Sequence, residues 1–321
     1  MSFRAYSVAE NEKLSVGVHN RAMFEQEKLL ALDFVENNRS SLEHSPCPAC
    51  ESDSSEFFAE FTGVKYLRCR NCLSIFTPVE REIIDRYRRY SPLRDFRASA
   101  KYQERSSEKR EHIWNEMCFW IKFRISRYLG KKDGLSVVDI GERYEKLAQI
   151  LSSVSDKYQP IEYADEIKNP ADVILYFNQM TFEPNPSKAL KSIRQNLNPD
   201  GLLFLSTRVG SGFDILTLKG GIDNIYPYEH SFLPSTEGLE ILLKKAGYEL
   251  LELSTPGSLD MQYVVENGSK LDKKDLFARY LLEKTDESTL SEFQRFLQKS
   301  GISSHAQLVA RAREDGEHNE I

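Results

Sequence analysis

Apolar and polar positions follow two rhythms along this chain, and the change between them falls near residue 130. From Arg81 to Gly130 the period is helical and broken near Ser91-Pro92, with Ile113, Met117, Ile121, Ile125 and Tyr128 recurring every three or four positions as one buried face. Gly130 is a natural stop for that helix. Residues 1 to about 42 are polar and helical, with a modest stripe of Phe24, Leu29, Leu30 and Phe34. Phe57, Phe58, Phe61, Tyr66 and Leu67 predict short strands around a tiny core. Beyond Gly130, short apolar runs take turns with helical stretches. Ser136–Ile140, Ala171–Phe177, Leu202–Ser206, Tyr248–Ser254 and Met261–Glu266 read as strands. Tyr144–Val154, Ser187–Leu197 and Thr236–Ala246 read as helices, and the tail from Lys270 onward as helical. Asn198-Pro199-Asp200-Gly201 is a turn signal. Such alternation predicts a mostly parallel sheet covered on both faces.

Five segments follow: an N-terminal helical segment (1–42), a cysteine module (43–80), a basic helical linker (81–132), an α/β domain (133–268) and C-terminal helices (269–321). With 40% hydrophobic and 29% charged residues the chain is globular in composition. No apolar run approaches the roughly 20 residues a membrane span needs, and Met1–Leu14 lacks the apolar core of a secretory signal, so a cytoplasmic protein is expected. The net charge of −6 conceals a local excess of positive charge, 15 Lys/Arg against 7 Asp/Glu between Arg81 and Lys132. A solvated helical face explains that excess better than a phosphate-binding arm, and nucleic acid is not an expected partner.

Four of the five cysteines carry the clearest chemistry. Cys47-Pro48-Ala49-Cys50 and Cys69-Arg70-Asn71-Cys72 form two C-x2-C pairs with 18 residues between them. Each pair lets one tight turn aim two sulfurs at one ion, and two turns complete a tetrahedral four-sulfur site. Zinc is the expected metal, with an iron–sulfur site or free thiols as alternatives. Four protein ligands leave no open position, so the role would be structural. Cys118, alone in an apolar stretch, is expected in a core.

Val137-Val138-Asp139-Ile140-Gly141 is a strand running into a loop and helix, the place where doubly wound sheets bind ligands. Together with the cysteine pairs, several further segments carry a resemblance. They are Asn198–Ser206, Gly212–Leu218, Tyr226-Pro227-Tyr228-Glu229-His230, Ala246–Leu250, Thr255–Asp260 and Ile302–His305. In this order they resemble class I S-adenosylmethionine-dependent methyltransferases, and most closely the branch with an N-terminal zinc ribbon that serves sugar and surface-polysaccharide biosynthesis. The resemblance implies a Rossmann-like α/β sheet behind a ribbon and a helical linker. It also implies S-adenosylmethionine as cofactor and a sugar or nucleotide-sugar as acceptor. By the same resemblance His230 is the general base and Tyr228 a residue that orients the acceptor, packing being the commoner use of such a tyrosine. Asp139, Gly141, Glu162 and Asn178 are the candidate cofactor contacts. His305 is expected at a helix junction.

The departures are specific. Gly141 is followed by Glu142-Arg143-Tyr144-Glu145, where the family has a glycine-rich turn, and Thr181-Phe182 replace a Glu–His pair. Only 29 residues separate Gly141 from Ala171, too few for two further strands with their helices. One short strand, near Ile161–Ala164, is expected there, which shortens the doubly wound sheet. Two functions follow: a methyltransferase with a truncated cofactor site, or an inactive relative that binds a protein partner.

Overall fold

The structure is a computed structural model, and it describes residues 18–38, 45–130, 134–141, 147, 151–152 and 155–313. The turn Glu142–Glu145 and most of the helix expected over Tyr144–Val154 lie outside the described residues. So do the side chains of Phe24 and Ile113.

Alternate residues of a strand face opposite ways, and the central strands use both faces for core. β4 (Leu135–Ile140), β5 (Ser155–Ile161), β6 (Ala171–Phe177) and β7 (Leu197–Arg208) are parallel, and β10 (His305–Ala312) enters antiparallel between β7 and β9 (Tyr248–Ser254). The order is β5-β4-β6-β7-β10-β9. On one face Val137, Val173, Leu202 and Phe204 meet Met117, Ile121 and Ile125 of the long helix α4 (Ala100–Leu129), so the expected stripe is core. Cys118 lies in the same cluster. On the other face Val138, Ile174 and Leu203 meet Leu190 and Ile193 of α5 (Pro186–Gln195) and Leu239 and Leu242 of α7 (Thr236–Lys245), the short α6 (Phe213–Leu218) lying between these two helices in sequence. The fold is a doubly wound, Rossmann-like α/β sheet, shortened as expected: among the described residues one strand, β5, lies outside β4, but it spans Ser155–Ile161 and not Ile161–Ala164, since the chain turns into a 3-10 helix at Ala164–Glu166.

Three further local expectations change. Met261–Glu266 is helical, within α8 (Asp260–Glu266), because Met261 and Val264 are both buried at a helical spacing and packing overrides the strand preference of Tyr263, Val264 and Val265. The tail contains helices α9 (Leu276–Lys284) and α10 (Glu287–Lys299) but ends in β10, a central strand. The Asn198–Gly201 turn is absorbed into β7 as an irregularity: Ala171 pairs with Leu197 and Val173 with Leu202, while Asp200 takes φ +63°.

The cysteine module is a second sheet. β1 (Ser55–Phe61) and β2 (Val64–Cys69) form a hairpin whose Thr62-Gly63 turn has both φ angles positive, the twist that suits two antiparallel strands. β3 (Ile75–Phe76) follows, and its outer neighbour is β8 (Phe232–Leu233), which belongs to the loop just after His230. The module and the α/β part therefore share a sheet. α2 (Arg81–Arg88) and α3 (Ser91–Ala98) then cross the carboxyl ends of the parallel strands, and α1 (Val18–Asn37) packs Phe34 and Val35 into the same aromatic cluster as Tyr87.

Candidate functional site

Both C-x2-C turns fold alike. Glu51 and Leu73 each donate a backbone N–H to the first cysteine's carbonyl, and both take φ +63°. The four sulfurs lie within 4.8 Å of one another, with Cys47–Cys72 and Cys50–Cys69 at 3.5 Å. A tetrahedral zinc with sulfur at about 2.3 Å would place sulfurs about 3.8 Å apart, so the donor set fits such an ion. The cluster is tied to the loop that follows His230. Thr77 N–H donates to Ser231 O (2.9 Å) and Ser235 N–H to Ser74 Oγ (3.1 Å), while Ser235 Oγ donates to Cys72 O. A Cβ at Gly238 would stand 2.2 Å from Ser74 Oγ, so α7 and the second cysteine turn meet only because no side chain is there.

The parallel strands bring Gly141, Glu162 and Asn178 to the carboxyl ends of β4, β5 and β6. Gly141 has φ +84° and Asn178 φ +55°. This part of the edge is filled. A Cβ at Gly141 would lie 2.2–2.5 Å from the end of the Gln179 side chain, which donates from Nε2 to Phe177 O at 3.2 Å. Glu162 pairs with Arg94 at 3.1 Å, and Arg88 lies over the Tyr163 ring at 4.5 Å. Asp139 is fully buried and accepts from the Tyr158 hydroxyl, which places it beneath the edge. A bare backbone at Gly141 and an acid at the end of the neighbouring strand fit an adenosine-bearing cofactor once Gln179 turns aside, and the atoms in the way are the far end of a flexible side chain.

Beside it opens a cavity of about 460 Å³. Asn178 borders it, Trp120 and Met117 of α4 form one wall, and Ser206, Arg208, His305 and Gln307 line the β7–β10 side. Arg208 faces His305 across the antiparallel pair, and Ser206 faces Gln307. Arg208 donates to Asp214 Oδ2 (2.9 Å) and Asn224 O (3.0 Å), yet among the described residues its Nε has no partner, and neither does the fully buried Ser206 Oγ. Burial pushes the Asp214 carboxyl up to about 6 against the pull of Arg208.

His230 lines the same cavity. Burial pushes its imidazole down to about 4, with Glu229 opposing and Arg208 adding to the shift. Burial works to raise the Glu229 carboxyl, but Arg97 and His230 outweigh it and hold the group below the usual carboxylate range. Arg97 bridges Glu229 and Glu27 at 2.7 Å each, and the Tyr87 hydroxyl donates to Glu229 at 2.8 Å. Tyr228 does not join His230 in the cavity wall. With φ +68° its ring turns into the cluster of Phe34 and Tyr87, and its hydroxyl donates to Asn38 O at 3.2 Å. That placement is packing, and it comes from a left-handed residue that sends neighbours Tyr228 and His230 to different sides.

His305 and Arg208 are the residues that sequence reasoning passed over. His305 begins β10 and was expected at a helix junction; burial and the Arg208 charge push its imidazole down to about 4. An arginine two positions after Ser206, at the end of an apolar strand, was the available signal.

Residues 111–253 match the family model described as a methyltransferase domain. The matched segment holds the parallel strands β4–β7, and the α/β part of the chain thus has the Rossmann-like methyltransferase fold. Among solved structures the chain is similar to a putative sarcosine dimethylglycine methyltransferase from Galdieria sulphuraria, with 14% identity, 62% of this chain and 86% of that one covered, and a TM-score of 0.38. A putative methyltransferase from Bacillus halodurans has 12% identity, coverage of 60% and 98%, and a TM-score of 0.37. The cyclopropane synthase MmaA2 from Mycobacterium tuberculosis has 15% identity, coverage of 59% and 82%, and a TM-score of 0.37. Likenesses at this level bear on neither activity nor ligand. No curated protein matches the chain.

Proposed function

We propose that the protein is an S-adenosylmethionine-dependent methyltransferase acting on a hydroxylated, sugar-type acceptor, with a structural zinc ion held by Cys47, Cys50, Cys69 and Cys72. One observation carries the reading: Gly141, Glu162 and Asn178 lie at the carboxyl ends of adjacent parallel strands, directly beside a cavity of mixed polar and apolar lining that includes His230. Gly141 and Asn178 would hold the amino-acid end of the cofactor and Glu162 its ribose hydroxyls. The bound cofactor would supply an electrophilic methyl group. Trp120 and Tyr263 offer apolar faces, and Ser206, Arg208 and Gln307 offer hydrogen bonds, the mixture a polyhydroxylated ring uses. Sequence resemblance assigns His230 to the acceptor side of the site, and the cavity that it lines supports that assignment. Calorimetry with S-adenosylmethionine and S-adenosylhomocysteine tests the reading. Binding is expected, weaker than micromolar because Gln179 and Arg94 must give way; no heat at millimolar ligand would refute it.

The position of Gln179 against Gly141 supports a second reading, an inactive relative that keeps the fold to bind a protein partner or sugar. Absence of cofactor binding even in Gln179→Ala would favour it.

A further inference from the structure

His230 and His305 both line the cavity, yet their ring nitrogens are engaged differently. The Tyr226 N–H donates to His230 Nδ1 at 3.1 Å. The Tyr226 carbonyl lies 3.3 Å from the same nitrogen but already accepts the backbone N–H of His230 at 2.9 Å. The two contacts imply opposite tautomers; the shorter one comes from an N–H with no other acceptor among the described residues, whereas the carbonyl already has a donor, and this balance favours the lone pair on Nδ1 and the proton on Nε2. The hydrogen bond made by one ring nitrogen sets the tautomer presented by the other. A neutral His230 therefore gives the cavity a donor.

His305 has no such tie. No described residue hydrogen-bonds either of its ring nitrogens, so both tautomers are open to it and a lone pair is available to a ligand. Its backbone is fixed all the same. Ser304 N–H donates to Asp260 Oδ1 (2.8 Å), Ser304 O accepts from Val209 N–H (2.9 Å), and Ser303 Oγ donates to Asp260 Oδ2 (2.5 Å). A Cβ at Gly257 would stand 3.0 Å from His305 Cβ, so the loop beside it is bare where the histidine needs room.

We propose that His305 is the proton acceptor of this cavity and that His230 is a hydrogen-bond donor to the same ligand. The inference rests on the methyl-transfer reading for its chemistry: the acceptor's O–H or C–H bond breaks, the proton passes to a His305 nitrogen, and the electron pair stays on the acceptor atom to form the new bond to the methyl carbon. The sulfonium donor keeps the pair of the broken sulfur–carbon bond. His230 Nε2–H would meanwhile hold a neighbouring oxygen. Burial and the charge of Arg208 keep both imidazoles neutral at pH 7, so the His305 ring is unprotonated before the ligand arrives.

The test needs neither cofactor nor acceptor, so it separates this inference from the methyl-transfer reading, which cofactor calorimetry judges. In the full chain labelled with ¹⁵N-histidine, two-bond proton–nitrogen spectra at neutral pH report each tautomer, with His230→Gln and His305→Gln used for assignment. His230 is expected as the Nε2–H form. Limited acylation with diethyl pyrocarbonate, which attacks an unprotonated ring nitrogen, is then followed residue by residue by mass spectrometry. His305 is expected to react at least tenfold faster than His230, whose lone pair faces the Tyr226 N–H. An Nδ1–H tautomer at His230, faster acylation of His230, or an unreactive His305 would each overturn the proposal.

Discussion

The carboxyl edge of the sheet has two halves that solve opposite problems. Over β4 and β5 the polar groups satisfy one another: Gln179 lies on Gly141, Arg94 holds Glu162 and Tyr158 holds Asp139. Over β7 and β10 there is space, and Ser206 Oγ and Arg208 Nε have no partner among the described residues. A buried polar atom without a partner costs about 1–3 kcal/mol, so the open half keeps unsatisfied atoms that a ligand could satisfy. The filled half has less to gain from a ligand, because a cofactor must first displace existing contacts. On the proposed reading, this difference predicts tighter binding of an acceptor than of the cofactor.

The largest test removes the support of the open half. Cys72→Ser should unfold the cysteine module, since structural zinc supplies about 10–16 kcal/mol in small modules, and β8 would lose its partner β3. Elemental analysis should find near-stoichiometric zinc in the wild type. Hydrogen exchange should show the amides of Phe232 and Leu233 losing protection before those of Val173 and Leu175. A soluble, fully folded, metal-free variant would contradict the assignment.

Acid comes next. His230 and His305 fall from an ordinary 6.5 to about 4 in the folded protein, so the unfolded chain takes up protons first as pH drops. Their contribution is complete above about pH 6.5 and is lost as pH falls toward 4, at most about 3 kcal/mol each. Asp214, raised from 3.8 to about 6, acts with the opposite sign as it takes its proton in the folded state. Two against one leaves a net loss of about 3 kcal/mol between pH 6.5 and 4, measurable by urea unfolding. Stability unchanged across that window would mean the open half is wetter than its geometry indicates.

Arg97→Ala strips the shared partner from Glu229 and Glu27 and should cost about 1–3 kcal/mol, discounted for the partial exposure of Arg97. The loss should shrink when Glu229→Gln is added, a double-mutant cycle that an unpaired Glu229 would fail. Smallest is Gln179→Ala. Clearing Gly141 should tighten S-adenosylmethionine binding about tenfold, or about 1.4 kcal/mol. Equal affinity in both proteins would show that Gln179 is not what fills that half.

The sequence made different parts legible for physical reasons. The cysteine turns are local: two sulfurs three positions apart define their own geometry, and the structure gathers all four. Periodicity likewise identified α4, whose Met117, Ile121 and Ile125 recur every four positions on one buried face. The shortened sheet followed from counting residues between Gly141 and Ala171. The β7–β10 wall was hidden because Arg208 and His305 are 97 positions apart and meet only through a pairing that no local pattern announces. Tyr228 was misleading for a related reason, since a single left-handed residue turns it away from His230.

The placement of β10 bears on how the chain folds. β9 precedes β10 in sequence, yet β10 lies between β9 and β7. Until His305–Ala312 inserts, β7 and β9 each present an unpaired strand edge, the feature that invites association between chains. Insertion also depends on contacts distant in sequence, which form slowly. Refolding should therefore pass through a species with β4, β6 and β7 protected and Leu308 and Val309 still exchanging, and its aggregation should rise with protein concentration. Pulse-labelled hydrogen exchange would reveal that order of closure, with the wall that carries His305 completed last.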